Sequence, residues 1–360
     1  MRLRLDKIAS STRNAGLAPQ VVVGPDIPAQ PGTVVAVRVL DEKRTYNQIE
    51  DVHGRMMVYH AGDVIAGVLG ARQALRGYSG VVPTSVAVGD TLHLLNLGGV
   101  IGQCVSENPE VGPPARVEVL GAVLAFPELG RRVGAAASIF PGPVPLADQL
   151  DRMPKMVFVA GTCMHAGKTA AACALVRGAS ARGLRVGAAK ITGVALRRDT
   201  LEMQDHGAVC AYTFNDAGLP STIGVPVVRA ARGCLNVAAT HHLDLLVVEL
   251  GDGLLGDYGV MDILETPDLA QAADAIVLAA NDPVGAWGGG LLLERLGLAA
   301  DVVTGPATDN DAGCRAIVSR METRALNARK SAPALVEAVL AAAGVEPTAE
   351  LAPGLVGRAK

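Results

Sequence analysis

Aromatic residues are scarce in this 360-residue chain, at 3% with a single Trp. Its core must therefore be built from Val, Leu, Ala and Ile, and with half its residues hydrophobic the chain has enough of them. Long apolar runs are also missing. None reaches the ~18–20 residues of a membrane-spanning helix. The N-terminal Met1-Arg-Leu-Arg-Leu-Asp-Lys7 carries charge but no hydrophobic signal core behind it, so a cytoplasmic protein without a membrane partner is expected. No excess of positive charge exists either: the net charge is −3 and no long basic run occurs. Nucleic acid is therefore not the expected partner. The six cysteines contain no C-x-x-C pair, which argues against a disulfide framework or a zinc site.

The length suggests about two domains, and the pattern changes near residue 150. Residues 1–150 hold short Val-rich runs broken by Gly, Pro and Asp, at 20–23, 33–40, 55–59, 90–96 and 115–120. This rhythm predicts a smaller β-rich domain, a barrel being one form, with a helix near 63–75. Phe140-Pro-Gly-Pro-Val-Pro145 is the candidate linker. Residues 151–360 alternate apolar strands (155–160, 185–190, 244–249, 274–279, 300–304) with helices (168–182, 199–212, 227–240, 285–297, 333–343). That alternation predicts an α/β domain with a mainly parallel, doubly wound sheet, whose ligands bind at the carboxyl ends of the strands.

The most informative stretch is Gly161-Thr-Cys-Met-His-Ala-Gly-Lys-Thr169. It joins an apolar strand to an Ala-rich helix, the setting of a phosphate cradle. Backbone N–H groups and the helix dipole attract the anion, Lys168 adds charge, and the Thr169 hydroxyl is a Mg²⁺ ligand. Gly161, Thr162, His165, Ala166, Gly167, Lys168 and Thr169 form the expected binding loop. It departs from the G-x-x-x-x-G-K-[ST] pattern, because Thr162 holds the first glycine position and Gly161 lies one residue earlier. A catalytic Cys163–His165 pair is conceivable, but loop residues whose backbones do the binding is the simpler reading.

Other candidates lie at later strand ends. Lys190 closes an apolar strand and would aim its charge at phosphate or an anionic substrate. Glu249 follows four apolar residues and precedes Gly251-Asp-Gly253, a place for an acid that holds Mg²⁺ or its water. Asp199 is the expected second metal ligand, and Asp205 and Asp252 are weaker candidates. Glu202 lies between the two aspartates, and His206 reads as a surface or packing residue. Asn215–Thr222 reads as a loop whose hydroxyls meet substrate or cap the next helix. Asp41–Glu50 reads as either a recognition loop or a solvated hairpin.

Over residues 155–305 these motifs resemble dethiobiotin synthetase and related ATP-dependent ligases, through the loop, the strand ending Ala189-Lys-Ile-Thr-Gly193, and Glu249-Leu-Gly-Asp-Gly253. The resemblance implies Lys168 and Thr169 on phosphates and Mg²⁺, Lys190 on a carbamate or phosphate, Asp199 and Glu249 completing the metal site, and a homodimer. It implies ATP and Mg²⁺ as cofactors and a small carboxylate or amino-acid-like substrate. The departures are Ile191 in place of proline and Leu250 and Asp252 in place of small residues. The same loop followed by Asp205-His-Gly-Ala208 is also similar to a P-loop family that includes D-amino-acid N-acetyltransferases, which implies acyl-CoA instead of ATP. A regulatory NTPase or metallochaperone is a third class, although Asn281-Asp282 does not complete an Asn-Lys-x-Asp guanine signature.

Overall fold

The computed structural model describes residues 1–126 and 133–346 of the protein; residues 347–360, the end of the expected nucleotide-binding domain, lie outside them. The first half is built around β1 (Val34–Val39), β2 (Val64–Leu69), β3 (Thr91–Leu94), β4 (Val100–Glu107) and β5 (Arg116–Ala125). β5 pairs with β1, β1 with β2, β2 with β4, β4 with β3, and β3 again with β5. The pairing closes on itself, so these strands form a five-stranded barrel. Closure satisfies backbone groups that an open sheet would leave at its edges.

Alternation along β1 fills two compartments. Val35, Val37 and Val39 join Ile65, Ile101 and Val117 in one core, while Val34 and Ala36 join Ala66 and Val68 in another shared with the second half. The period of two is the geometry of a strand with both faces buried. The helix expected at 63–75 is instead β2. Val64, Ile65 and Val68 are β-branched, and in so short an apolar run periodicity cannot separate helix from strand. Pairing with both β1 and β4 decides it.

The Pro-rich segment at 140–145 is packed rather than loose. Val144 N–H donates to the Asp216 carbonyl at 3.0 Å. A Cβ at Gly142 would lie 2.1 Å from that same oxygen, so only glycine allows the approach.

The second half carries β6 (Lys155–Gly161), α1 (Lys168–Ser180), β7 (Val186–Thr192), α2 (Arg198–Asp205), β8 (Ala211–Thr213), α3 (Val227–Ala239), β9 (Leu245–Leu250), β10 (Ala275–Ala279), α4 (Pro283–Arg295), β11 (Val302–Thr304), α5 (Asp311–Met321), β12 (Arg324–Ala325) and α6 (Ala332–Ala342). The sheet order is β8-β7-β9-β6-β10-β11-β12, with every pair parallel. Val157 and Val159 face α1 and α6 on one side, and Met156, Phe158 and Ala160 face α3 and α4 on the other. This is the doubly wound α/β arrangement. The helix expected over 199–212 stops at Asp205, because Gly207 takes a left-handed φ of 111° and the chain then turns into edge strand β8. Helix α5 was not anticipated from the sequence.

Phe158 is fully buried at the centre of this sheet. Phe158→Ala is expected to cost about 3–5 kcal/mol of stability, measurable by chemical denaturation.

Candidate active site

Strand register places the chemistry. Glu249 on β9 pairs with Lys190 on β7 and with Val159 on β6, two residues before Gly161. The sheet thus presents Lys190 and Glu249 at one level of its carboxyl edge, with Gly161 two residues further along β6. β6 lies where the order reverses, with β9 and β7 to one side and β10 to the other, the position at which such sheets bind ligands.

The phosphate loop runs from Gly161 to the first residue of α1, Lys168. Gly167, the residue before the helix, has φ 96°. Local packing explains the displaced glycine: a Cβ at residue 161 would lie 2.8 Å from Lys168 Cδ, so Gly161 makes room for the lysine to fold back over the loop. The Lys168 ammonium donates to the carbonyl of Cys163 at 2.9 Å and to that of Asp252.

Gly253 meets the loop from the other side. A Cβ there would come within 2.7 Å of Cys163 Cα and 2.8 Å of the Thr162 carbonyl oxygen. Gly253→Ala should push the two loops apart and weaken nucleotide affinity about tenfold or more, equivalent to about 1.4 kcal/mol, while thermal stability changes little. An unaltered dissociation constant in calorimetric titration would show that this contact does not shape the cradle.

Lys190, Asp199 and Glu249 form one charged cluster. The Lys190 ammonium is paired with Asp199 and lies 3.5 Å from Glu249 Oε1. Thr169 donates its hydroxyl to Glu249 Oε1 at 3.3 Å, while Glu249 Oε2 is buried with no hydrogen-bond partner. Burial pushes the Lys168 pKa below the ordinary lysine value, against the pull of Glu249 and Asp252. Burial acts likewise on Lys190, but Asp199 and Glu249 outweigh it and raise its pKa. For Asp199, burial is outweighed by Lys190 and the pKa falls. For Glu249 burial prevails over Lys190 and the pKa rises; Asp252 is also raised by burial, against Lys168.

The site gathers Lys168, Thr169, Lys190, Asp199, Glu249 and Asp252 around one cleft of about 590 Å³. Glu202 and His165 also line it, His165 with an exposed side chain. Asp205 is exposed at the end of α2, away from the cleft, and His206 bonds the Glu202 carbonyl. Cys163 and His165 are not bonded to each other; Cys163 instead donates to the Met164 carbonyl and accepts from Asn281. Asn215–Thr222 neither caps a helix nor lines the cleft. Asn215 and Asp216 bind Ser11 and Arg13 of the first half, and Thr222 holds Gly193 and Tyr258.

The first half closes the cleft, and sequence reasoning missed most of that wall. Tyr46, Arg72 and Asn96 line it. Tyr46 belongs to the polar segment 41–50 that offered a recognition loop, whereas Arg72 and Asn96 are isolated among strand and loop residues and nothing local marked them. Buried Glu50 accepts from the backbone N–H groups of Arg197 and Arg198, both at 2.7 Å. It thereby seats the start of α2, which carries Asp199. The Asn96 side chain donates to the Ala195 carbonyl just upstream. Glu50→Ala leaves two helix N–H groups without their acceptor, at about 1–3 kcal/mol for a buried group. The expected outcome is lower stability together with reduced turnover; a stable variant of normal activity would show that Glu50 does not position Asp199.

The C-terminal half is thus an α/β domain with a parallel, doubly wound sheet and a glycine-containing loop between its strand β6 and helix α1. Neither a family model nor a curated protein matches the chain. Among solved structures it is similar to chloroplast FtsY from Physcomitrella patens, at 15% identity and a TM-score of 0.37, over 53% of this chain and 67% of that one. It is similar to the signal recognition particle receptor FtsY from Elizabethkingia anophelis, at 12% and 0.34, over 55% and 58%. It is also similar to the signal recognition particle 54 kDa protein from Aeropyrum pernix K1 in complex with GDP, at 17% and 0.38, over 54% and 47%. These overlaps span only about half of this chain and, in the last two, less than two thirds of the other.

Proposed function

We propose that the protein is an ATP- and Mg²⁺-dependent enzyme that phosphorylates a small carboxylate or carbamate, for amide or ring formation. One observation carries this reading: two lysines and three carboxylates, from α1, α2, the strand β7 and the end of β9 with the loop after it, converge on the loop before α1 inside a cleft walled by the barrel half. Catalysis of phosphoryl transfer is mostly positioning and electrostatics. Lys168 and Lys190 would stabilise negative charge on the transferring group. The barrel half would hold the acceptor and limit water. This arrangement is compatible with the dethiobiotin synthetase-like ligase chemistry that the sequence motifs resemble.

The residues fit Mg²⁺. The orphaned Glu249 Oε2 and the neighbouring Thr169 hydroxyl are hard oxygen donors, and Mg²⁺ takes few protein ligands beside phosphate oxygens and water. Among the described residues no group of three or more His, Cys, Asp or Glu is arranged to hold a metal, which accords with so sparse a set. When bound, the metal would neutralise charge on the phosphates. Asp199 would act from beside it, since its carboxylate is already paired with Lys190.

That pairing also favours a second reading. The Lys190 ammonium occupies the space between two acids, an arrangement that suits a metal-free reaction such as acyl transfer from acyl-CoA to an amino acid, with a CoA phosphate in the cradle. A regulatory NTPase is a third reading of equal standing, although Asn281 is engaged with Cys163 and Asp282 caps α4 by accepting from Gly285 N–H.

Thermal-shift titration separates the readings. A ligand at 100 times its dissociation constant adds about 2.7 kcal/mol of stability. The proposal expects this shift with ATP–Mg²⁺ and not with acetyl-CoA. A shift with acetyl-CoA alone would replace the kinase-like reading by the acyltransferase.

A further inference from the structure

Arg72 presents a second problem of charge in the cleft. It belongs to the barrel half, is 5% exposed, and lines the same cleft as Lys168. It forms no ion pair with any described residue within 4.0 Å. Both of its hydrogen bonds leave from Nη1, to the Tyr46 hydroxyl at 2.6 Å and to the Leu95 carbonyl. Its Nε is buried with no partner, and Nη2 donates to none of the described residues. Asp252, the carboxylate whose field it shares, has its ion pair with Lys168, at 4.0 Å.

A buried guanidinium costs stability unless an anion accompanies it. Here Nη1 is anchored, while Nε and Nη2 on the other edge have no hydrogen-bond partner among the described residues. Two features hold it in place. Its guanidinium carbon lies 5.5 Å from the centre of the Tyr46 ring, and Tyr46 is fixed edge-on to Tyr78. A Cβ at Gly77 would sit 2.8 Å from Nη2, so the Gly77 backbone packs closely against the guanidinium and a side chain there would displace it. A planar fork with a free edge is the geometry that takes a carboxylate through two parallel hydrogen bonds.

We propose that Arg72, braced by Tyr46, binds the carboxylate of the small-molecule substrate in the cleft shared with the phosphate loop. Resting on the reading of that loop as a phosphate site, the assignment makes the substrate an anion with a carboxylate for Arg72 besides its reacting group. It gives the polar segment at 41–50 a role, since Tyr46 from that segment reaches the cleft. Phosphate oxygens share the chemistry of a carboxylate, so the test must separate a substrate anion from the nucleotide.

The probe is glutarate, a dicarboxylate, titrated calorimetrically beside ATP–Mg²⁺ into the wild type and into Arg72→Met, Arg72→Lys and Tyr46→Phe. Circular dichroism reports folding. The proposal expects glutarate to bind the wild type. Arg72→Met should weaken it about tenfold or more, with ATP–Mg²⁺ affinity within about twofold. If Arg72→Met fails to fold, Arg72→Lys, which keeps the charge but loses the fork, and Tyr46→Phe carry the comparison. Absence of glutarate binding to the wild type, or unchanged binding in every folded variant, overturns the proposal. Loss of ATP–Mg²⁺ affinity with glutarate unaffected also overturns it, by placing Arg72 on the nucleotide. Failure of the phosphate-loop reading is seen separately, as Lys168→Ala retaining wild-type ATP–Mg²⁺ affinity.

Discussion

Lys168→Ala should leave a folded protein with little or no turnover. Lys168 is 6% exposed; its ammonium donates to the backbone carbonyls of Cys163 and Asp252 and lies 4.0 Å from the Asp252 carboxylate. Burial already disfavours its charge, so removing it relieves a desolvated cation while losing those bonds. The two effects oppose each other, and the melting temperature should shift by a few degrees at most. The loss in catalysis is one-sided, because no other cation projects from the start of α1. Removal of one preorganised charge-stabilising donor lowers turnover about 10²–10³-fold. A variant with wild-type rates would refute the cradle.

The lysine also implies a pH dependence. Its pKa in the free protein lies below the ordinary lysine value of about 10.4. As pH rises through that lowered pKa the ammonium is lost, and kcat/KM should fall on the alkaline side. In Lys168→Arg the guanidinium stays charged, so whatever activity remains should lack that limb.

Glu249→Gln should divorce stability from activity. Glu249 is 2% exposed, and one of its oxygens has no partner. Burial holds its folded pKa above the unfolded value despite Lys190. A carboxyl raised in this way contributes stability that is fully present below its unfolded pKa of about 4.3. That contribution is lost as pH rises through the folded pKa. At neutral pH the ionised group is therefore a net cost. Gln keeps the shape without the charge, and Lys190 keeps its pairing with Asp199. The variant should be at least as stable as the wild type at neutral pH, with a flatter dependence of stability on pH. Turnover should nonetheless fall about 10²–10³-fold, since the anionic oxygen beside Thr169 is gone. A destabilised variant would mean that the Lys190 interaction outweighs burial. Full activity would remove Glu249 from the site.

Much of the C-terminal half was legible because its signals are local. A strand buried on both faces must be apolar throughout, so 155–160 and 244–249 stood out and proved to be β6 and β9. A lysine or glutamate that ends such a run marks the ligand edge by itself, as Lys190 and Glu249 did. Where a signal was short or mixed it misled. Asp63–Leu75 read as helix because a brief apolar run fits both periods, and 199–212 read as one helix because Gly207 alone did not reveal the turn to β8.

What the chain alone determined is thus the strand–loop–helix unit around Gly161–Thr169, the parallel sheet and the position of Lys190 and Glu249 at its carboxyl edge. What only tertiary structure decided is the environment of each charge. Lys190 lies between Asp199 and Glu249, Glu50 reaches across from the other half to seat α2, and Arg72 enters the cleft with one edge unmatched. These depend on which distant segments the barrel and the sheet bring together. A buried charge is shaped by neighbours far away in sequence, through burial and Coulomb attraction, and neither leaves a mark on the residue's own stretch of chain.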